Sequence, residues 1–347
     1  MKFKYALVAP LLIVLSAALS GAGLPQVVKR SRTFEFIYDT QITNLPPDAR
    51  TARVWIPLAS SDRNQSVTIE KITAGVPVRV TRDPRTGDRI LYAEIHNPRA
   101  RSVDFTIKYR VTRREYSKGD YTSLMRYNAD PVQVPVTLVR FTEPDRLIPT
   151  GGIIRRIAQT TTRDKSGEIS KAYALYNYVF HNMRYDKSGK GWGRGDALFA
   201  CNAKRGNCTD FHSLFIALMR SEGIPARFVI GFPLPEDSSE GRIPGYHCWA
   251  EFYVRKLGWV PVDISEAWLN PARHDFYFGS LDPDRVRISK GRDLTLSPKQ
   301  AGPPVNYFVY PYAEVDGKPF NSFKKQFSFH DLTPAHIAAA ASHRPAR

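Results

Sequence analysis

Cysteine is scarce: three residues, Cys201, Cys208 and Cys248, serve a chain of 347, too few for a disulfide framework. An exported chain with three cysteines leaves one unpaired by arithmetic. No CxxC or HExxH spacing specifies zinc, and the calcium loop DxDxDG with its terminal glutamate is missing, so no metal or other cofactor requirement is predicted. Acid is also in deficit. The 33 aspartates and glutamates face 50 lysines and arginines, giving a formal net charge of +17. A field of that sign draws a protein toward anionic cell-surface polymers, lipid headgroups or acidic substrates. No nucleic-acid motif accompanies it, which argues against a nucleic-acid partner. Past the first twenty residues no apolar run is long enough to cross a membrane, and there is no internal repeat.

What is present begins with a segment of secretory type over residues 1–22: Lys2 and Lys4 precede the apolar run Tyr5 to Leu19, and small residues Ser20 and Ala22 suit cleavage near Gly23. This reading places the protein in the periplasm or outside the cell. Residues 23–116 then alternate as short strands, from RTFEFIYDTQI to VDFTIKYRVTRREY, with turn signals at 45–49 and 84–88. The pattern predicts a sandwich-like β domain. Residues 117–150 are polar and turn-rich and read as a linker packed along the core. A helix starts at Gly152, and a second, amphipathic one spans Glu168 to Met183.

The chemistry concentrates between Arg205 and Asp263. In RGNCTDFHSLFIALMRSEGIPAR the apolar residues Phe211, Leu214, Phe215, Leu218 and Met219 mark one helix face, Asn207 caps the start, and Gly223 with Pro225 ends it. The helix should run from Cys208 to Glu222. A thiol in the first turn feels the positive end of the helix dipole, which favours thiolate. The segments GYHCWAEFYV and GWVPVDI both alternate and should pair as an antiparallel hairpin across Arg255 to Gly258. For His247 and Asp263 to lie directly opposite, the loop must have an odd length or a bulge. Cysteine needs a base, and the imidazole needs a carboxylate to fix its tautomer, so Cys208, His247 and Asp263 match the order nucleophile, base and orienter.

These three segments, together covering about a third of the chain with their flanks, resemble the core motifs of the bacterial transglutaminase-like superfamily, which shares a papain-like core. The resemblance implies an α+β fold with Cys208 as nucleophile, His247 as general base and acid, and Asp263 as orienter. It implies acyl transfer through a thioester on Cys208, ending in peptide or amide hydrolysis or in transfer to an amine. The transglutaminase-like core would cover 151–270, with a C-terminal β-rich extension at 271–332 and a flexible, alanine-rich tail at 333–347. Related enzymes place an oxyanion donor upstream of the nucleophile. Trp192, in a glycine-rich lip running from Lys187 to Asp196, is a candidate for that role, for shielding the cleft, or for simple packing. Cys208 and His212 stand four apart on one helix face and raise a zinc reading, but His247 and Cys248 alternate faces on a regular strand and should not both point inward. The competing class is a non-catalytic binding module that retains the fold.

Overall fold

The computed structural model describes residues 30–129 and 134–332; the secretory-type segment expected at residues 1–22 and the tail expected at 333–347 lie outside the described residues. The N-terminal strands β1 (Ser31–Ile42), β2 (Thr51–Leu58), β3 (Gln65–Ala74), β4 (Arg79–Arg82), β5 (Arg89–His96) and β6 (Val103–Arg114) form where the alternation places them. Along β6 every second residue is buried, from Val103 through Phe105, Ile107, Tyr109 and Val111, which is the period-two signature of a sheet with one face in the core.

Two five-stranded sheets result, and strands from the far end of the chain complete both. In the first, β1 lies between β6 and the strand Phe323–Asp331, pairing with the latter from Phe34↔Asp331 to Ile42↔Phe323. In the second, β2 pairs with β5 on one side and with Tyr312–Val315 on the other. Thus Arg285–Lys290 closes a separate four-stranded sheet, whereas residues 312–331 complete the sandwich. Pairing with β1 satisfies backbone groups that would otherwise form an open edge.

The central layer is a four-stranded antiparallel sheet in the order Gly258–Val262, His247–Val254, Ala226–Pro233, Arg285–Lys290. The helix Cys208–Ser221 packs against it and is buried from Cys208 to Arg220, with helices Gly152–Thr161 and Glu168–Asn182 alongside. Residues between the sandwich and the first of these helices lie along the core, as the stack of Tyr121 on Tyr173 and the contact of Phe141 with Trp259 show. Phe232 of the four-stranded sheet meets Phe36, Tyr38 and Phe327 of the sandwich, so one apolar core runs through both layers. Among the described residues no helix is long and apolar enough to cross a membrane.

Candidate active site

Asn207 caps the helix that begins at Cys208, accepting from the Thr209 amide at 3.0 Å, while Asp210 reaches back to the Asn207 amide at 3.0 Å. This reciprocal capping fixes the first turn and so fixes Cys208. Asp210 does more than cap. It also accepts from the amides of Gly193 (2.7 Å) and Gly195 (3.1 Å), and Tyr307 Oη donates to Gly193 O at 3.0 Å. The glycine-rich lip is therefore fastened over 193–195. Gly195 has a positive φ of 64°, and a Cβ there would meet Ser213, Thr209 and Arg292 within 2.8 Å, so the close approach requires glycine. Trp192 turns into its own loop, its indole N–H donating to Gly189 O at 3.1 Å, which leaves that donor engaged within the lip.

The hairpin has odd parity, but its register differs from direct opposition. Val254 pairs with Gly258 and Ala250 with Val262, two residues away from the alignment that would place His247 across from Asp263. Parity keeps both side chains on one face, and they meet diagonally: His247 Nε2 lies 2.7 Å from Asp263 Oδ2. Asp263 is also the N-cap of the helix Ile264–Leu269, with Oδ1 accepting from the Glu266 amide at 3.2 Å.

Cys208 is in contact with both His247 and Cys248, which corrects the expectation that these neighbours must face apart. Alternation governs the interior of a ladder, and His247 is the first residue of its strand. No disulfide forms; all three cysteines are free. The hydrogen bond with Cys248, and then the hydrogen bond and charge of His247, hold the Cys208 thiol well below its ordinary range despite burial. Burial also opposes charge on His247, yet the charge of Asp263 and its hydrogen bond hold the imidazole well above its usual value. Buried Asp263 is held below the carboxylate range by His247 and Arg285. These shifts all act toward a thiolate beside an imidazolium, backed by a carboxylate.

Three further residues contribute to this arrangement, of which Arg285 and Tyr246 carry no local sequence signal and His212 only its spacing of four from Cys208. Arg285 donates to Asp263 Oδ2 at 2.7 Å and pairs with Asp282 at 2.8 Å, so a buried guanidinium braces the orienting carboxylate. His212 accepts the Ile264 amide on Nε2 at 3.0 Å, which leaves Nδ1 to donate to Cys208 O at 2.8 Å. Both ring nitrogens are thus occupied, which removes the lone pair a metal would need, and the ring ties the nucleophile's backbone to the segment bearing Asp263. Burial pushes His212 down to about 4, keeping it neutral. Tyr246 Oη bonds Thr209 Oγ1 at 2.8 Å and accepts from Asn207 Nδ2 at 3.1 Å beside the thiol. A cavity of about 200 Å³ opens beside His247, bordered by Glu266, Asn270, Arg273 and Tyr277; larger cavities lie elsewhere.

With this geometry, comparison with known proteins becomes informative. A family model described as the transglutaminase-like superfamily matches residues 155–264. An uncharacterized protein of Haemophilus influenzae is 26% identical over 349 residues, covering 90% of this chain and 94% of its own length. The uncharacterized protein YebA of Bacillus subtilis is 28% identical over 196 residues, 52% of this chain but 24% of YebA. In fold, the chain is similar to a candidate cysteine protease from Cytophaga hutchinsonii, with a TM-score of 0.57 at 17% identity over 87% of this chain and 98% of that one. Residues 155–264, which carry Cys208, His247 and Asp263, form a core of the transglutaminase-like superfamily.

Proposed function

We propose that the protein is an exported cysteine enzyme that acts on peptide or amide bonds through a thioester on Cys208. The observation that supports this most directly is the bond between His247 and Asp263 at 2.7 Å, with the imidazole in contact with the thiol at the start of a capped helix. In this reading the Cys208 thiolate attacks the carbonyl carbon and His247 gives its proton to the departing amine, leaving an acyl-enzyme. Water or a primary amine then attacks the thioester while His247 takes a proton from it. Hydrolysis is the default outcome because water needs no second binding site. Export rests on the secretory-type segment at residues 1–22.

One observation favours a second reading, a binding module that has kept the fold: Cys208 is only 2% exposed. A thiol-directed activity probe separates the two. Labelling at Cys208 that Cys208→Ala abolishes supports the enzyme, and a wild-type protein that stays unlabelled overturns it. Incubation with a glutamine-containing peptide and excess traceable primary amine then sets the reaction type. Free acid as the main product supports hydrolysis, and efficient amine incorporation overturns that preference.

A further inference from the structure

The net positive charge is not spread evenly, and a cavity of about 290 Å³ at the far end of the nucleophile helix gathers six arginines, among them Arg85, Arg140, Arg146, Arg220 and Arg292. Arg220 lies twelve residues along the helix from Cys208, roughly 18 Å at 1.5 Å per residue, so this cavity is separate from the triad. Three acids share its lining. Asp145 is held by Arg220 at 2.7 Å and Asp293 by Arg146 at 3.3 Å, leaving Glu143 with no ion-pair partner among the described residues. The sixth arginine, Arg227, pairs with Glu251 outside the cavity. Arg85, Arg140 and Arg292 have no carboxylate in direct contact among the described residues.

These three cations differ in what holds them. Arg292 is buried, and its donors go to neutral acceptors: Ser213 Oγ at 2.7 Å, Asn306 Oδ1 at 2.6 Å, and the carbonyls of Arg194 and Gly195 at 3.2 and 3.1 Å. This buried cation has only dipoles in direct contact, with Asp145 and Asp293 acting on it from farther off, so an anion drawn into the cavity would lower its energy further. Arg85 and Arg140 stand at the exposed rim. Arg85 donates to Asp293 O at 2.9 Å, and Arg140 donates to Arg85 O at 2.8 Å while stacking on Phe141 at 4.5 Å. The carbonyl chain and the ring hold both guanidinium planes in place, while most of the five donors of each fork stay available. Fixed, fork-shaped donors around a small concavity with excess positive charge are suited to a compact oxyanion.

We propose that this cavity is a binding site for a phosphate group, whether as free inorganic phosphate or as a phosphate ester on a larger molecule. A dianion matches the excess of cations better than a single carboxylate does, because the neighbouring Glu143 already opposes a weaker anion. Arg292 also holds the carbonyls of the lip that Asp210 fastens beside Cys208, so the site shares one side chain with the wall of the catalytic cleft.

Calorimetric titration of the whole protein with inorganic phosphate, at constant ionic strength in chloride, tests this. Saturable binding is expected, and replacing both rim residues, Arg85→Gln and Arg140→Gln, should weaken it on the order of tenfold or more, the scale of losing charge-assisted hydrogen bonds. The two rim side chains are exposed, so the variant should unfold at the wild-type midpoint. No saturable heat, or undiminished binding by the folded double variant, overturns the site. Acetate binding as tightly as phosphate overturns the choice of ligand. Competition by glycerol phosphate at comparable strength assigns the site to phosphate esters as well as free phosphate, and its failure restricts it to the free ion. None of these results bears on the thiol chemistry, which the activity probe tests separately.

Discussion

Asp263 places two oxygens among four partners. Oδ2 takes His247 and Arg285, and Oδ1 takes Ser265 and the Glu266 amide, so orienting the base and capping a helix are one arrangement. Asp263→Asn retains an acceptor for Arg285, which keeps Asp282, but the amide cannot stabilise an imidazolium and favours the wrong tautomer. Turnover should fall on the order of a thousandfold or more, with a much smaller change in unfolding midpoint. Parallel loss of turnover and stability would make Asp263 a structural buttress. The two histidines differ in their linkage to pH. His247 is raised in the fold, so its contribution is complete below about 6.5 and is lost as pH rises through its folded value. His212 is lowered to about 4, so the unfolded chain binds a proton that the fold refuses, and stability falls as pH drops from 6.5 toward 4. The full shift corresponds to about 3 kcal/mol. Denaturant titrations of wild type and His212→Gln between pH 7 and 4 check this: the slope should be shallower in the variant, and an unchanged slope would acquit His212.

At the scale of elements, the catalytic sheet depends on one close approach. A Cβ on Gly231 would stand 1.8 Å from Val286 O, on the strand that brings Arg285 to Asp263. Gly231→Ala should cost roughly 3 kcal/mol through forced displacement of that strand, read as a lower denaturant midpoint, together with a loss of turnover. A midpoint within experimental error of wild type would show that the sheet yields. Local patterns made the other elements legible. Asn207 and Gly223 bracket the nucleophile helix in sequence and in the fold, and the helix ends at Ser221, one residue before the expected end. The hairpin shows where legibility stops: alternation specifies which face a residue occupies, whereas register depends on how the loop closes, here with Val254 across from Gly258. Arg285 and Tyr246 were unreadable for a related reason. Their partners Asp263 and Thr209 lie 22 and 37 residues away, and neither period nor cap encodes such a distance; the spacing of four between Cys208 and His212 was visible, but not the bond from the Ile264 amide.

For the whole molecule, the consequential pairing is the one between the first and last described strands. Deleting residues 312–347 removes one of the two flanking strands from each of β1 and β2 and takes Phe327 from the aromatic cluster around Phe232. Such a truncation leaves Cys208, His247 and Asp263 in the chain, yet it should lose cooperative unfolding and near-ultraviolet dichroism and expose two sheet edges to aggregation. A monodisperse, cooperatively unfolding truncation would show that the remaining strands hold both sheets without these partners.

The pairing of Phe34 with Asp331 also sets a clock on synthesis. A ribosome delivers the nucleophile helix and the hairpin well before it delivers the strand that closes the first sheet. During that interval the chain holds every catalytic residue but lacks the last strand of its support. A chain that ends a few residues before Phe323 carries Cys208, His247 and Asp263 but lacks the strand that pairs with β1.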